Sequence, residues 1–199
     1  APVMEALTGL EVPLSIDTRH PATMVKALAA GASIINDISG FRAPEARAAV
    51  AASDAGVVTM HMLGDSPATM QADPRYGDVV AEVGQFLLES RAALMAAGVA
   101  PERICLDPGF GFGKKPEHNL MAMHHLDKMK ELELPILLGT SRKSTLGLIL
   151  DLPVDQRLEA TIATTAYGVA QGASIIRVHD VKENYRAMKT MQAILRERI

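Results

Sequence analysis

The chain has 199 residues, of which 48% are hydrophobic and 22% charged, and its formal net charge is −3. This length and composition predict a soluble globular protein that buries its core as one domain, or as one large incomplete one. The charges form no basic block and no apolar run approaches the roughly 20 residues of a membrane span, so no nucleic-acid or membrane partner is expected.

Six short runs of β-branched and aliphatic residues predict buried parallel strands. In chain order they are residues 12–16, 32–35, 57–60, 104–106, 135–138 and 173–178. Stretches rich in Ala, Leu, Met, Glu and Lys lie between them and predict helices. These are residues 22–30, 43–52, 79–97, 119–131 and 158–171. The strict alternation of strand and helix indicates an α/β fold.

A short internal repeat refines the fold class. The sequence AGASII at residues 30–35 is matched by QGASII at residues 171–176, and both predict a helix that ends at a glycine with left-handed dihedrals before a strand begins. Gly56 and Gly98 stand at junctions of the same kind. Repeated units of this type favour a (β/α)₈ TIM barrel over a doubly wound sheet, and the strand ends of a barrel converge on one site.

Only six strands are predicted, whereas a full barrel has eight. The chain opens in what looks like the tail of a helix, residues 3–10, without an initiator Met. We therefore expect residues 1–199 to form a single barrel domain that holds the last six β/α units and lacks the first two. The run at 12–16 would then be an exposed edge strand.

The carboxyl ends of the predicted strands form the active-site face of a barrel. The polar or reactive residues at these ends are Asp17, Asn36, Met60 with His61, Asp107, the segment 141–144, and Arg177 with His179. Carboxylate and amide groups pair with an aminopyrimidine edge, and Lys, Arg and His bind phosphate. The set suits a ligand that combines several N–H donors with an anionic group.

Several of these residues also have an ordinary structural interpretation. Asp17 could end a strand before a helix start, and Asn36 with Asp37 could form a turn. The phenylalanines of the glycine-rich loop could be packing anchors, and a glycine-rich loop alone is a weak phosphate signal. Sequence alone leaves both interpretations open.

Other polar residues are predicted to be structural. His61, between two methionines, is expected to be a satisfied core histidine, and Cys105 a small core residue rather than a nucleophile. Asp180 and Glu183 have the spacing of a capping box for the last helix. No residues have zinc-site spacing, so no zinc is predicted.

Taken together, six segments resemble the dihydropteroate synthase family. They are SIDT at 15–18, INDI at 35–38, MHM at 60–62, LDPGFGFGK at 106–114, SRKS at 141–144 and RVHD at 177–180. The resemblance covers nearly the whole chain in the right order and implies a pterin-binding (β/α)₈ barrel. Such a transferase condenses 6-hydroxymethyl-7,8-dihydropterin diphosphate with p-aminobenzoate, and gives 7,8-dihydropteroate and pyrophosphate in folate biosynthesis.

The resemblance also implies roles for individual residues. Pterin binding falls to Asp17, Asn36, Met60, Asp107, Gly139, Lys143 and Arg177. Phe112, Lys143 and Ser144 would bind p-aminobenzoate, and Arg177 and His179 the diphosphate. Lys143, Arg177, His179 and Asp17 would be the catalytic set. The expected mechanism is dissociative: pyrophosphate leaves first, and the arylamine then attacks a cation-like methylene carbon.

Mg²⁺ is the implied cofactor, with its protein ligand in the missing first strand and none within this chain. A cytoplasmic homodimer built on the later helices and a role as a sulfonamide target are also implied. Two alternatives remain open: a pterin-dependent methyltransferase barrel, and a truncated, non-catalytic pterin-binding fragment. The segment 141–144 and the loop phenylalanines argue against the methyltransferase, because methyl transfer needs no clamp for a benzoate carboxylate.

Overall fold

The structure is a computed structural model and describes residues 2–7 and 9–198. Six strands lie within these residues: β1 Ser15–Asp17, β2 Ile34–Asp37, β3 Gly56–Met60, β4 Ile104–Asp107, β5 Leu137–Leu138 and β6 Ile175–Ile176. The α-helices are α1 Pro2–Leu7, α2 Pro21–Ala29, α3 Pro44–Ala51, α4 Val79–Ala96, α5 Pro116–His124, α6 Ser144–Leu150, α7 Leu158–Gln171 and α8 Val181–Arg196. Short 3₁₀ helices span Pro101–Arg103, Leu126–Leu132 and Val154–Gln156.

The strands run parallel and pair in chain order. β1 to β4 form one sheet and β5 pairs with β6. A parallel bridge between Leu106 and Ile136 joins the two sheets. This sequential parallel order, with helices between successive strands, is the wall of a (β/α)₈ barrel and confirms the predicted fold class. The predicted extent of the domain, residues 1–199 without the first two β/α units, stays a prediction.

The repeated helix-to-strand junctions adopt the expected geometry at three of four glycines. Gly31, Gly98 and Gly172 have φ of 86°, 101° and 104°, in the region that L side chains rarely adopt. Gly56 does not belong to this group, and its inclusion was wrong. It is already the first residue of β3 and pairs with Ile34, so its backbone is extended.

The two outer strands differ from the prediction of full burial. β2 to β5 are almost entirely buried, but β1 and β6 are partly exposed. Each of these two strands pairs with a neighbour on one side only within the described residues. The expectation of an exposed edge at the start of the chain is therefore confirmed, and β6 forms a second edge.

Two helical segments differ from the sequence prediction. The helix predicted at 119–131 begins earlier, with Pro116 at its first turn, and after His124 the chain tightens into a 3₁₀ helix. Leu126, Met129 and Leu132 all face the core there, as the three-residue repeat of a 3₁₀ helix requires. α6 was not predicted, because its β-branched residues and Gly147 are poor helix formers.

The core lies between the strands and the surrounding helices. Its largest fully buried side chains include Met24, Ile35, Phe41, Leu87, Leu94, Ile104, Leu106, Leu126, Ile136 and Leu138. α4 starts at a well-made cap, since Asp78 Oδ1 accepts hydrogen bonds from the N–H groups of Val80 and Ala81 at 2.9 and 3.1 Å. Among the described helices, none is both long and apolar enough to cross a membrane.

Candidate active site

Each strand contributes one predicted site residue at its carboxyl end. Asp17, Met60 and Asp107 are the last residues of β1, β3 and β4, and Asn36 lies one residue before the end of β2. Gly139 directly follows β5, and Arg177 directly follows β6. The strands are parallel and in register, so these residues lie on one rim of the barrel wall. The convergence predicted from the sequence is confirmed in position.

Asp17, Asn36 and Arg177 are in direct contact. Arg177 Nη2 donates to Asp17 Oδ2 at 3.1 Å, and Asn36 Nδ2 donates to the same oxygen at 3.4 Å. The first contact spans from β6 to β1, across the mouth of the barrel. Both of its side chains are about half exposed, at 55% and 43%, so a ligand entering the mouth meets them directly.

The carboxamide oxygen of Asn36 lacks a hydrogen-bond partner in the part of the chain that the structure describes. Asn36 is 4% exposed, and its Oδ1 is the one buried side-chain oxygen or nitrogen without a hydrogen bond among the described residues. An unsatisfied buried acceptor costs about 1–3 kcal/mol and calls for an explanation. An N–H donor from a ligand would satisfy it. The turn interpretation does not explain Asn36, but it does explain Asp37, whose carboxylate accepts hydrogen bonds from Ser39 and Phe41.

Asp107 is a buried carboxylate at the rim. It is 5% exposed, and Oδ1 accepts the backbone N–H of Gly109 at 2.7 Å. Burial raises the pKa of Asp107, while the charge of Lys143 and the hydrogen bond from Gly109 act in the opposite direction. A ligand that brings N–H donors would add to these two and favour the ionised carboxylate.

Lys143 faces the same space from the loop after β5. Its Nζ donates to the carbonyl of Phe110 and lies 4.6 Å from the centre of the Phe112 ring. Burial lowers the pKa of Lys143 to about 8, against the opposing charge of Asp107. Ser144 is the next residue and is exposed, at the start of α6. The lysine and the aromatic ring are therefore neighbours, as the resemblance implies, while the role of Ser144 stays a prediction.

The loop after β4 is held close to the loop after β3. Gly109 and Gly113 have positive φ, and a Cβ on either would collide with His61 or Leu63. Only glycine fits at such a close approach. This explains why the sequence between Asp107 and Lys114 is rich in glycine, without invoking phosphate.

A buried lysine fastens this loop from inside. Lys114 is 3% exposed, and its Nζ contacts His61 Nδ1 at 2.8 Å and the carbonyl oxygens of Gly109 and Phe112 at 3.1 and 3.3 Å. Burial lowers the pKa of Lys114 to about 7 and that of His61 to about 2. A neutral His61 accepts one ammonium proton and the carbonyls accept the other two, so His61 is the satisfied core histidine that was predicted.

Two further predictions have different outcomes. Cys105 is buried, and burial raises the pKa of its thiol to about 12, which confirms a packing role. The capping box at Asp180 is wrong, since Asp180 makes no side-chain hydrogen bond to the start of α8. Its carboxylate instead accepts Arg142 Nε at 3.1 Å and Nη2 at 2.6 Å. A bidentate guanidinium pair competes successfully with a backbone cap.

Sequence reasoning placed Ser141 and Arg142 at a strand end, within the segment 141–144, but it assigned them no role, and it assigned none to Lys114. Ser141 Oγ lies 2.8 Å from His179 Nδ1, and Arg142 binds the neighbouring Asp180. These residues lie inside the quoted segments, but they act through other side chains, and the sequence does not indicate which residues they reach.

The sequence matches known proteins over nearly its full length. A profile of the family described as pterin binding enzyme matches residues 1–179. The chain is 43% identical over 195 residues to dihydropteroate synthase of Escherichia coli K12, covering 98% of this chain and 69% of the relative. It is 45% identical over 199 residues to the enzyme of the same name from Neisseria meningitidis serogroup B, with 97% and 70% covered.

Solved structures of the same kind superpose on the fold. The Yersinia pestis dihydropteroate synthase in complex with a sulfonamide drug gives a TM-score of 0.94 at 41% identity, over 98% of this chain and 71% of the other. The Thermus thermophilus enzyme with 4-aminobenzoate gives 0.93 at 41%, over 98% and 79%. The Xanthomonas albilineans enzyme with 7,8-dihydropteroate gives 0.90 at 41%, over 98% and 73%.

Proposed function

The chain belongs to the pterin-binding enzymes and, within them, to the dihydropteroate synthases, and from that membership we propose which of its residues perform the reaction. The activity is a transferase that joins 6-hydroxymethyl-7,8-dihydropterin diphosphate to p-aminobenzoate, with release of pyrophosphate, in folate biosynthesis. The observation that carries the residue assignment is the oxygen of Asn36, which has no partner among the described residues and lies next to Asp17 on the rim that also holds Asp107.

The pterin would bind by its nitrogen edge to this rim. Asp107, Asn36 and Asp17 supply acceptors for the amino group and ring N–H groups, and the ligand supplies the donors that the buried oxygens lack. Met60 is 2% exposed and lies beneath the same rim, where it would pack on the ring. Gly139 lies next to Arg177, since a Cβ added at Gly139 would be in ordinary van der Waals contact with Arg177 Cβ at 3.8 Å. Lys143 would donate to the pterin carbonyl.

The diphosphate would bind to Arg177 and His179, which are exposed at the end of β6. The bond between the methylene carbon and the diphosphate oxygen breaks, and its electron pair leaves with pyrophosphate. The guanidinium of Arg177 and an N–H group of His179 would stabilise the charge that grows on this oxygen. Asp17 orients Arg177 through their 3.1 Å contact. The arylamine nitrogen then forms the new bond to the methylene carbon and loses a proton.

The p-aminobenzoate would lie against Phe112 with its carboxylate at Ser144. A cleft of about 430 Å³ opens beside Ser144, between α5, α6 and the residues around Gln71. Its walls include the exposed Lys115, whose positive charge favours a carboxylate, and also Asp73, which opposes one. The 4-aminobenzoate complex of the Thermus thermophilus relative and the sulfonamide complex of the Yersinia pestis relative support this proposal, and a sulfonamide would compete for the same cleft.

Mg²⁺ remains a proposed cofactor, one that would help to neutralise the departing diphosphate. The described residues contain no group of three or more His, Cys, Asp or Glu side chains that could hold a metal ion. This part of the chain does not fit a metal site on its own, and none of the steps above depends on the ion.

A cytoplasmic homodimer is also proposed. Large apolar side chains on α8 are exposed, namely Val181, Tyr185, Ile194 and Leu195. An apolar face of this kind on the later helices favours association of two copies. Sedimentation of the purified protein measures whether its mass is twice that of one chain.

The reaction itself is the first prediction. Because the chain spans about 69% of the length of the Escherichia coli relative, the assay uses a protein of the relatives' full length. With dihydropterin diphosphate, p-aminobenzoate and Mg²⁺ present, we expect pyrophosphate and dihydropteroate in equal amounts. Pyrophosphate release that ignores the arylamine would contradict the synthase, and loss of a methyl group from a folate donor would favour the methyltransferase.

A further inference from the structure

Two consecutive residues of the loop after β5 bind two consecutive residues of the loop after β6. Ser141 contacts His179, and Arg142 contacts Asp180. The first loop also carries Lys143 and leads into α6 at Ser144, and the second loop begins with Arg177. The paired contacts therefore join the part of the site assigned to the pterin and arylamine to the part assigned to the diphosphate.

The backbone of Arg142 is held in an uncommon conformation. Its φ is 58°, in the left-handed region, which is unfavourable for a residue with a long side chain. Its N–H donates to Thr161 Oγ1 at 3.2 Å, and its carbonyl accepts Arg157 Nη1 at 3.0 Å. Strain of this kind persists only where surrounding contacts impose it. The contacts fix the direction in which Ser141 and Arg142 point.

Within residues 2–7 and 9–198, the hydroxyl of Ser141 makes two hydrogen-bond contacts, both with His179. Oγ accepts the backbone N–H of His179 at 3.2 Å and lies 2.8 Å from its Nδ1. A hydroxyl has one proton to donate and two lone pairs that accept. If Nδ1 carried a proton, Oγ would accept twice, and its own proton would have no acceptor in the described part of the chain. Ser141 is 7% exposed, so an unused donor there would be costly.

Both groups are satisfied when the hydrogen bond runs the other way. Ser141 then donates its proton to Nδ1 of His179, and the neutral imidazole keeps its own proton on Nε2. We propose that Ser141 is a positioning residue that fixes His179 in the Nε2–H tautomer, so that this nitrogen faces the leaving diphosphate as a donor. The inference rests on the proposed function only for the identity of the anion. The tautomer itself follows from the contacts of Ser141.

The tautomer is measured without substrates, by ¹⁵N NMR of protein with labelled histidines. The protein has six histidines, and His179→Gln identifies the resonances of His179 by their loss. We expect Nδ1 of His179 to resonate as an acceptor nitrogen and Nε2 as a protonated one. The opposite pattern in the unmodified protein would overturn the inference, whatever the protein catalyses.

Substitution of Ser141 gives the second readout. Ser141→Ala should mix the tautomers and lower kcat by about 10-fold to 100-fold, the usual scale for a misplaced proton donor, with the KM for p-aminobenzoate unchanged. Ser141→Thr keeps the hydroxyl and should restore both the spectrum and kcat. Ser53→Ala is the matched control, since it removes a hydroxyl that binds only the nearby backbone.

A fall in kcat that Ser141→Thr does not restore would show a packing role for Ser141 and overturn the proposal. Unchanged kcat in Ser141→Ala would do so as well. If the unmodified protein released no pyrophosphate, the proposed function would fail alone, because the NMR measurement needs neither substrate. If Ser141→Ala did not fold, the spectrum of the unmodified protein would still decide the tautomer.

Discussion

Replacement of Asp107 by Asn should weaken binding of the dihydropterin by at least about 100-fold, which corresponds to roughly 3 kcal/mol. The carboxylate offers only acceptors to the amino group and ring N–H of the pterin, whereas the amide presents an NH₂ group to those donors. The loop after β4 should keep its shape, because Asn can still accept the N–H of Gly109 through its oxygen. Isothermal titration calorimetry with the pterin alone measures the effect.

The stability of Asp107→Asn distinguishes a lost contact with the pterin from a general loss of structure. Burial raises the pKa of Asp107, so the ionised carboxylate is less favourable in the folded chain than in the unfolded one. Its removal should leave the free energy of unfolding at pH 7 unchanged or higher. Asp127→Asn, on the exposed face of the 3₁₀ helix, is the matched control and should bind pterin normally. Equal affinity in Asp107→Asn would show that the pocket lies elsewhere.

The sequence predicts the barrel well because its signal is local. Short β-branched runs, proline at helix starts and glycines such as Gly31 and Gly172 report on a few neighbouring residues. β1 and β6 are less buried than predicted, because burial depends on neighbours that a single run does not reveal. α6 was missed for a related reason: Gly147 lowers its helix propensity but makes room for the guanidinium of Arg157.

The site divides in the same way. Residues at the strand ends, such as Asp17 and Asp107, can be found from sequence because parallel order brings the ends together. Asp180 was misinterpreted because the capping pattern is local, while its actual partner, Arg142, lies 38 residues away. Lys114 gave no signal, since nothing in its segment indicates that His61 accepts its proton. Local sequence patterns do not reveal which polar groups pair when they lie far apart in the chain.

Replacement of Lys143 by Met should lower kcat/KM by about 100-fold to 1,000-fold, the range for loss of a single charged donor at a reacting group. The ammonium lies between the charges of Asp107, Asp17 and Arg177, where it would hold the pterin carbonyl. The exposed Lys128→Met is the control and should keep full activity. Steady-state rates of pyrophosphate formation measure both variants.

The free energy of unfolding of Lys143→Met should depend on pH differently from that of the unmodified protein. The pKa of Lys143 falls from 10.5 to about 8 on folding, so between these values the unfolded chain binds more protons and unfolding becomes harder as pH rises. At pH 7 the variant loses one hydrogen bond to Phe110 but also the poorly solvated charge that lowers this pKa, so its stability should be unchanged or higher. Between pH 8 and 10.5, the free energy of unfolding should therefore rise less in Lys143→Met than in the unmodified protein. If Lys143→Met instead lost much of its thermal stability and little of its rate, the role of Lys143 would be structural. A residue that acts on the substrate should lower the rate more than the stability when it is replaced.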